Sequence, residues 1–186
     1  MLEIEIKAKA DNHAELVKNL LLRGFCKEHT LRERDTYFNG VDRNFKQTDE
    51  ALRLRSTEKL ASGERHAAIT YKGPKIDNVS QTRKEYEVCV GDGPRMQDLL
   101  MALGYAPVLT VQKERAYYTR GDITACVDEV EGLGSFVELE IVAEESAASD
   151  EAVETLFILL EALGISRAAC TRKSYLEMLL HKLGRA

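Results

Sequence analysis

The opening stretch MLEIEIKAKA (residues 1–10) alternates apolar and charged residues. Its even-numbered residues from Leu2 to Ala8 are apolar, whereas its odd-numbered residues from Glu3 to Lys9 are all charged. A period of two is that of a β-strand, so this strand has one apolar and one fully charged face. The stretches EYEV (85–88) and ELEI (138–141) repeat its Glu-x-Glu pair among apolar neighbours. Three strands therefore carry the same pair of carboxylates, and this repetition needs a physical reason.

The composition is that of a soluble globular domain. The 186 residues are 44% hydrophobic and 31% charged, which is enough for one domain with a substantial core. The net charge of −5 argues against a general nucleic-acid-binding protein. No apolar run approaches the roughly 18 residues of a membrane span, and the acidic first strand is unlike a signal peptide. We therefore predict a cytoplasmic protein whose partners include neither nucleic acid nor a membrane.

Hydrophobic periodicity predicts eight strands and four main helices. The strands cover roughly 2–9, 34–39, 51–57, 66–72, 83–90, 109–119, 122–130 and 135–143. The helices cover roughly 11–23, 94–103, 149–163 and 171–183. The leucine stripes of the last two helices favour packing against the sheet over a dimer interface, and the chain is expected to be a monomer or a homodimer.

A repeat links the two halves of the chain. The stretches NLLLRGF (19–25), LLMALGY (99–105) and LLEALGI (159–165) each follow a Glu-x-Glu strand. The first two are followed by the similar charged stretches RERDTYF (32–38) and QKERAYY (112–118). We predict an internal duplication within one domain, with pseudo-repeats near 1–82 and 83–186. The alternative is that leucine-rich helices ending in Gly simply look alike.

Charged residues fall in phase on seven of the eight predicted strands. One explanation is an antiparallel sheet with its charged face in water. The other is a barrel, because eight strands can close and turn the charged face inward. We favour an α+β fold with an eight-stranded antiparallel β-barrel tunnel, a charged interior and helices packed outside.

The predicted interior suits a metal-bound triphosphate. Its bases are Lys7, Lys9, Arg53, Arg55, Lys72, Arg83, Lys113 and Arg115. Its acids are Glu3, Glu5, Glu85, Glu87, Asp128, Glu138 and Glu140. Pairing among themselves would nearly balance these charges, but carboxylates two residues apart repel each other unless a cation lies between them. Three such pairs make an oxygen-rich site for Mg²⁺ or Mn²⁺, and the bases suit a polyanion.

Seven ordered stretches resemble a known family. They are EIEIK (3–7), LRLR (52–55), YKGP (71–74), RKEYE (83–87), QKER (112–115), VDEVEGLGSFVELE (127–140) and KSYLEML (173–179). In this order they resemble the CYTH family, the triphosphate tunnel metalloenzymes, over essentially the whole chain. Within this family, the sequences of these stretches most resemble the branch of class IV adenylyl cyclases and thiamine triphosphatases.

The resemblance implies a tunnel that binds a triphosphate together with two Mg²⁺ or Mn²⁺ ions. The implied metal ligands are Glu3, Glu5, Glu138 and Glu140, with Glu85 and Glu87 as further candidates. The residues implied to bind the phosphates are Lys7, Arg53, Arg55, Lys72, Arg83, Lys113 and Arg115. Catalysis would involve Lys113, Arg115 and Asp128, the last by orienting a base or a metal-bound water.

Three functions follow from this resemblance and from the chemistry of the interior. The first is a class IV adenylyl cyclase, in which the 3′-hydroxyl of ATP attacks the α-phosphorus and pyrophosphate leaves. The second is a triphosphatase that hydrolyses inorganic, thiamine or nucleoside triphosphate. The third is a polyphosphate-binding module without catalysis. We predict a triphosphate-containing small molecule as the partner, and ATP in particular.

Overall fold

The computed structural model describes residues 2–76, 83–143 and 150–185. Strands and helices follow one another as β1 (Leu2–Lys9), α1 (His13–Leu22), β2 (Cys26–Asn39), β3 (Ala51–Lys59), β4 (Arg65–Lys75), β5 (Arg83–Val90), α2 (Gly93–Ala102), β6 (Ala106–Arg120), β7 (Ile123–Val130), β8 (Gly134–Ala143), α3 (Asp150–Ala162) and α4 (Tyr175–Lys182). A short 3₁₀ helix at Arg167–Ala169 precedes α4. The start predicted for the third helix, residue 149, lies outside the described residues.

The eight strands form one antiparallel sheet in the order β1-β8-β7-β6-β2-β3-β4-β5. The sheet curls so that its two end strands, β1 and β5, approach each other. No hydrogen-bonded ladder joins these two strands within the described ranges. The prediction of an α+β fold with eight antiparallel strands around a charged interior is confirmed, in the form of a curled half-barrel.

Strand β2 is eight residues longer at its start than predicted, because it begins at Cys26 and not near residue 34. Residues 26–33, CKEHTLRE, have no apolar alternation that would mark a strand. They extend because β6 lies alongside them from Cys26 opposite Thr119 to Glu33 opposite Lys113. Strand β6 lies at least eighty residues further along the chain, so the local sequence pattern does not show that residues 26–33 form a strand.

The strand order is symmetric between the two halves of the chain. If each of β1 to β4 is exchanged with its counterpart among β5 to β8, the same order is obtained in the reverse direction. The helices α1 and α2 then exchange as well, since each connects the first strand of a half to the second. A duplicated ancestor would produce this arrangement. The duplication itself stays a prediction.

Helices α1, α2 and α3 lie on the outer face of the sheet, where most of the apolar side chains of the strands point. Helix α4 instead packs against Val111, Val130 and Phe136, which share the inner face with the charged residues of their strands. The largest core contains Ile4 and Ile6 of β1 together with Leu20 of α1 and Leu156 and Leu160 of α3. Each fully buried side chain of this size contributes about 1.5–3 kcal/mol. This burial fixes the face of β1, and its charged residues must therefore turn inward. None of the helices in the described ranges has the length and apolarity that crossing a bilayer requires.

Candidate functional site

A cavity of about 660 Å³ lies on the inner face of the curled sheet. It brings together twelve of the residues predicted from the sequence, namely Glu5, Lys7, Arg53, Arg55, Lys72, Arg83, Glu85, Glu87, Lys113, Arg115, Glu138 and Glu140. Glu3 lies on β1 opposite Val142, but its side chain is outside the described part of the structure. Lys9 was expected inside and is 59% exposed, because β1 ends there and its ammonium group faces Asp11 at 3.9 Å.

Three carboxylates meet at one wall of the cavity. Pairing of β1 with β8 sets Glu5 opposite Glu140, and Glu138 follows two residues away on the same face of β8. One oxygen of each of these three residues lies within 4.8 Å of the other two. Burial raises the pKa of Glu5, and the charge of Glu138 raises it further. A cluster of oxygen ligands that disfavour one another's charge fits a hard divalent cation such as Mg²⁺ or Mn²⁺.

Lys7 links this acidic cluster to the basic part of the cavity. Its ammonium nitrogen lies 2.9 Å from Glu138 and 3.6 Å from Glu5. Burial alone would lower the pKa of Lys7, but these two carboxylates raise it above its ordinary value. Burial likewise opposes ionisation of Glu138, yet Arg115 and Lys7 hold its pKa well below the usual range. Both groups are therefore charged near neutral pH.

Asp128 lies behind the cavity wall and is completely buried. Its carboxylate accepts two hydrogen bonds from Arg115, at 2.7 and 2.6 Å, and one from Lys113 at 3.3 Å. The Tyr175 hydroxyl donates a fourth at 2.7 Å. Arg115 in turn hydrogen-bonds Glu138. The structure thus connects the three residues predicted for catalysis, with Asp128 holding the other two in place.

The opposite half of the cavity contains a matching ion pair with the charges exchanged. Asp35 on β2 faces Arg55 on β3 and receives two hydrogen bonds of 2.7 Å from it. Arg115 on β6 faces Asp128 on β7 in the same way. Asp35 had no role predicted from the sequence. Burial opposes its ionisation, but Arg55 and Arg53 lower its pKa below the ordinary value.

Glu33 is a buried charge that sequence reasoning missed. It is 1% exposed and lies 3.1 Å from Arg55 and 3.4 Å from Lys113, and it accepts a 2.9 Å hydrogen bond from Tyr117. Burial opposes its charge, but Lys113 and Arg55 bring its pKa down to about 2. The predicted strand began one residue too late to include it. Its phase, two residues before Asp35, is the signal that could have found it.

Arg53 is less tightly paired in the cavity than Arg55 and Arg115. Its shortest side-chain contact is a 3.2 Å hydrogen bond to Thr70, whereas Asp35 and Glu87 lie 3.8 and 3.7 Å away. Its Nε atom is buried and has no hydrogen-bond partner. A guanidinium group in this state has donors available for an anion.

Glu85 and Glu87 lie apart from the acidic cluster. Glu85 pairs with Lys72 at 2.5 Å, and Glu87 accepts a 2.8 Å hydrogen bond from Thr70. Burial and then Arg53 lower the pKa of Lys72. These two acids sit on β5, at the other end of the strand order from β1 and β8. Their role as metal ligands stays a prediction.

Residues of α4 and of the segment that joins β2 to β3 also line the cavity. Arg83 donates to the backbone oxygens of Gly73 and Asp49, at 3.2 and 3.4 Å, while Lys75 pairs with Asp49 at 2.6 Å. The apolar side chains of Phe45, Leu176 and Leu180 also line this part. The leucine stripe of α4 was expected to pack on the barrel. The structure adds that the same helix contributes cavity residues, Tyr175 among them, which its apolar pattern concealed.

Comparisons relate the chain to known proteins. A family model described as the CYTH domain matches residues 1–175. A Methanocaldococcus jannaschii protein named as a candidate adenylate cyclase is 42% identical over 178 residues, which are 96% of this chain and 98% of the relative. A Pyrococcus horikoshii structure is 39% identical with a TM-score of 0.88 and covers 97% of this chain and 99% of that one. A Hippeastrum structure, described as a candidate adenylyl cyclase with a dominant triphosphatase activity, shares the fold at 16% identity and a TM-score of 0.66, covering 100% of this chain and 96% of that one.

Proposed function

We propose that this chain, which belongs to the CYTH domain family, is a divalent-metal-dependent enzyme that converts ATP into cyclic AMP and pyrophosphate. The observation that carries the proposal is the acidic cluster of Glu5, Glu138 and Glu140 in a cavity whose lining also contains eleven lysines and arginines. Such a cavity offers ligands for a cation and donors for the phosphates that this cation would accompany.

The three clustered carboxylates are the residues that would hold Mg²⁺ or Mn²⁺. When bound, the metal would lower the pKa of the attacking hydroxyl group and stabilise negative charge on the leaving group. The proposal includes two ions, with Glu3 as a further ligand. The donor set is all oxygen, which favours these hard cations over Zn²⁺.

The charge of the cavity supports a polyanionic substrate. Its lining contains eleven Lys and Arg residues and nine Asp and Glu residues, and the buried carboxylates of Glu33 and Asp128 behind the lining bring the acids to eleven. These charges balance before a metal binds, so a bound divalent cation would make the site positive. Arg53 has a donor without a partner, and Lys7 keeps its charge although it is buried. Positive groups that are already held in place stabilise negative charge that develops on the phosphates.

Asp128 acts in this proposal as a positioning residue. Its carboxylate accepts hydrogen bonds from Arg115, Lys113 and Tyr175, so it is poorly placed to remove a proton from a substrate. It fixes the directions in which the guanidinium and ammonium groups point into the cavity. Removing it would leave two buried cations without their partner.

The size of the cavity favours a nucleotide over bare tripolyphosphate. Its volume of about 660 Å³ is typical of sites for ligands of nucleotide size. The apolar residues Phe45, Leu176 and Leu180 also line the cavity. They offer a surface for a part of the substrate that carries no phosphate.

A triphosphatase is the second candidate. The charged centre alone could bind a metal and a triphosphate, and in that case water would attack the terminal phosphorus. The Hippeastrum protein, with the same fold, is described as a candidate cyclase whose dominant activity is that of a triphosphatase. The name cyclase on a relative therefore does not decide between the two reactions.

Product analysis with purified protein tests the proposal. The protein is incubated with ATP, or with tripolyphosphate, in the presence of Mg²⁺ or Mn²⁺. We expect cyclic AMP and equimolar pyrophosphate from ATP, and loss of both in the E138Q variant. The control is E114Q, on the same sheet but exposed and paired with Arg32. Phosphate from tripolyphosphate with ATP left intact would replace the cyclase by the triphosphatase. Binding without turnover would reduce the protein to a binding module.

A further inference from the structure

Tyr175 is the first residue of α4, and it lines the charged cavity on the inner face of the sheet. Its side chain is 6% exposed. The hydroxyl group donates a hydrogen bond of 2.7 Å to Asp128 Oδ2. The same oxygen also accepts hydrogen bonds from Arg115 at 2.6 Å and from Lys113 at 3.3 Å. One carboxylate oxygen is therefore shared by three donors, two from β6 and one from α4.

The ring of Tyr175 contacts two of the cations. The Lys7 nitrogen lies 4.3 Å from the ring centre, and the Lys113 nitrogen lies 5.2 Å from it. Both distances are within the range of cation–π attraction. Phe136 meets the ring edge-on with a centroid separation of 5.1 Å, which fixes its orientation. A single phenol thus touches two lysines and the carboxylate that positions an arginine.

We propose, on the basis of the proposed function, that Tyr175 is a positioning residue for triphosphate binding. Its hydroxyl satisfies part of the charge on Asp128, so that Arg115 and Lys113 are not drawn entirely onto that carboxylate and remain directed at the phosphates. Its ring holds the ammonium groups of Lys7 and Lys113 against one surface. Helix α4 thereby supports charged groups that lie on the sheet strands β1, β6 and β7.

The anchorage of α4 allows this role to be tested with little effect on the helix. Ser174 and Glu177 form a reciprocal capping box at its start. Lys182 donates to the backbone oxygen of Gly132 at 2.6 Å near its end, and Leu180 is buried. These contacts do not involve the hydroxyl of Tyr175. The variant Y175F should therefore keep the helix docked and remove only the hydrogen bond to Asp128.

The probe is diimidotriphosphate, a triphosphate whose bridging nitrogens resist hydrolysis, with Mn²⁺ in excess. Its Kd is measured by titration calorimetry for wild type, Y175F and the control Y118F, which removes the hydroxyl of a tyrosine buried in the outer core. We expect Y175F to weaken binding about tenfold, as for a lost hydrogen bond to a charged group. Its melting temperature should stay close to that of wild type, and Y118F should bind normally.

A double variant tests the route of the effect. Because Tyr175 acts through Asp128, adding Y175F to D128N should weaken binding no further. Additive losses would overturn the proposal, as would a Y175F variant that binds the probe as tightly as wild type or loses only thermal stability. If D128N does not fold, the Kd of Y175F decides alone. Failure of the wild-type protein to bind the probe with Mn²⁺ would instead refute the proposed function.

Discussion

Replacing Glu5 by Gln should have opposite effects on stability in the absence and presence of metal. Glu5 is packed against Glu138 and Glu140, with oxygens within 4.8 Å, and burial raises its pKa. At that distance two carboxylates repel by about 3 kcal/mol if the effective dielectric constant is about 20. Lys7, 3.6 Å from Glu5, offsets most of this repulsion. We therefore expect E5Q to be more stable than wild type by on the order of 1 kcal/mol in EDTA at pH 8.

The sign of the pH dependence follows from the raised pKa. A carboxyl group whose pKa is higher in the folded state destabilises the protein increasingly as the pH rises from its unfolded-state pKa to its folded-state pKa, and has no such effect when it is protonated in both states. The advantage of E5Q in EDTA should therefore disappear as the pH falls below about 4.5, the ordinary pKa of Glu. A melting-temperature difference of about 2–4 °C corresponds to 1 kcal/mol for a domain of this size.

Metal should reverse the order of thermal stability of wild type and E5Q. A ligand at one hundred times its Kd stabilises the folded state by about 2.7 kcal/mol. Saturating Mn²⁺ should therefore raise the melting temperature of wild type above that of E5Q, which lacks one ligand. The assay is thermal unfolding of both proteins in EDTA and in Mn²⁺, followed by circular dichroism. An E5Q protein that is less stable than wild type in EDTA, or that gains as much from Mn²⁺, would refute this account of the cluster.

Three further substitutions test other parts of the structure. Glu33 has a pKa of about 2 against an ordinary 4.5, so the free energy of unfolding of E33Q, measured in urea near neutral pH, should be lower than that of wild type by about 3 kcal/mol. This deficit should shrink as the pH falls below about 4.5, and a deficit that is independent of pH would contradict the reasoning. R53M should raise the KM for the triphosphate about tenfold while R32M, which removes an exposed arginine, leaves it unchanged; equal KM values would remove Arg53 from the site. L156A should lower the free energy of unfolding by about 2–5 kcal/mol because Leu156, a residue of α3, is fully buried in the largest core. A loss below about 1 kcal/mol would mean that α3 is weakly packed.

The face on which each charged side chain lies was determined by the sequence alone. Alternation in β1 places Ile4 and Ile6 on one side and Glu5 and Lys7 on the other, and the structure buries the apolar side under helices. This pattern depends on neighbouring residues, so it can be read without knowing the fold. The starts of α1 and α2 were predicted to within two residues, and the caps Asn12 and Asp92 that fix them act within three residues, whereas α4 begins four residues later than predicted.

Which acids meet was decided only by the tertiary structure. The three Glu-x-Glu pairs look equivalent in the sequence, yet β1 lies beside β8 and far from β5 in the strand order. Glu5 therefore clusters with Glu138 and Glu140, whereas Glu85 pairs with Lys72. Strand pairing joins residues more than a hundred positions apart, and its register is set by the packing of whole faces.

Two buried groups were hidden for related reasons. Glu33 lies on a part of β2 that has little apolar alternation and that is extended by pairing with β6 and β3. Tyr175 occupies an apolar position of a helix whose docking alone brings the hydroxyl to Asp128. Local periodicity reports the face to which a side chain belongs, because it depends on the backbone geometry of adjacent residues. The partners that it meets depend on contacts across the fold, which no local pattern contains.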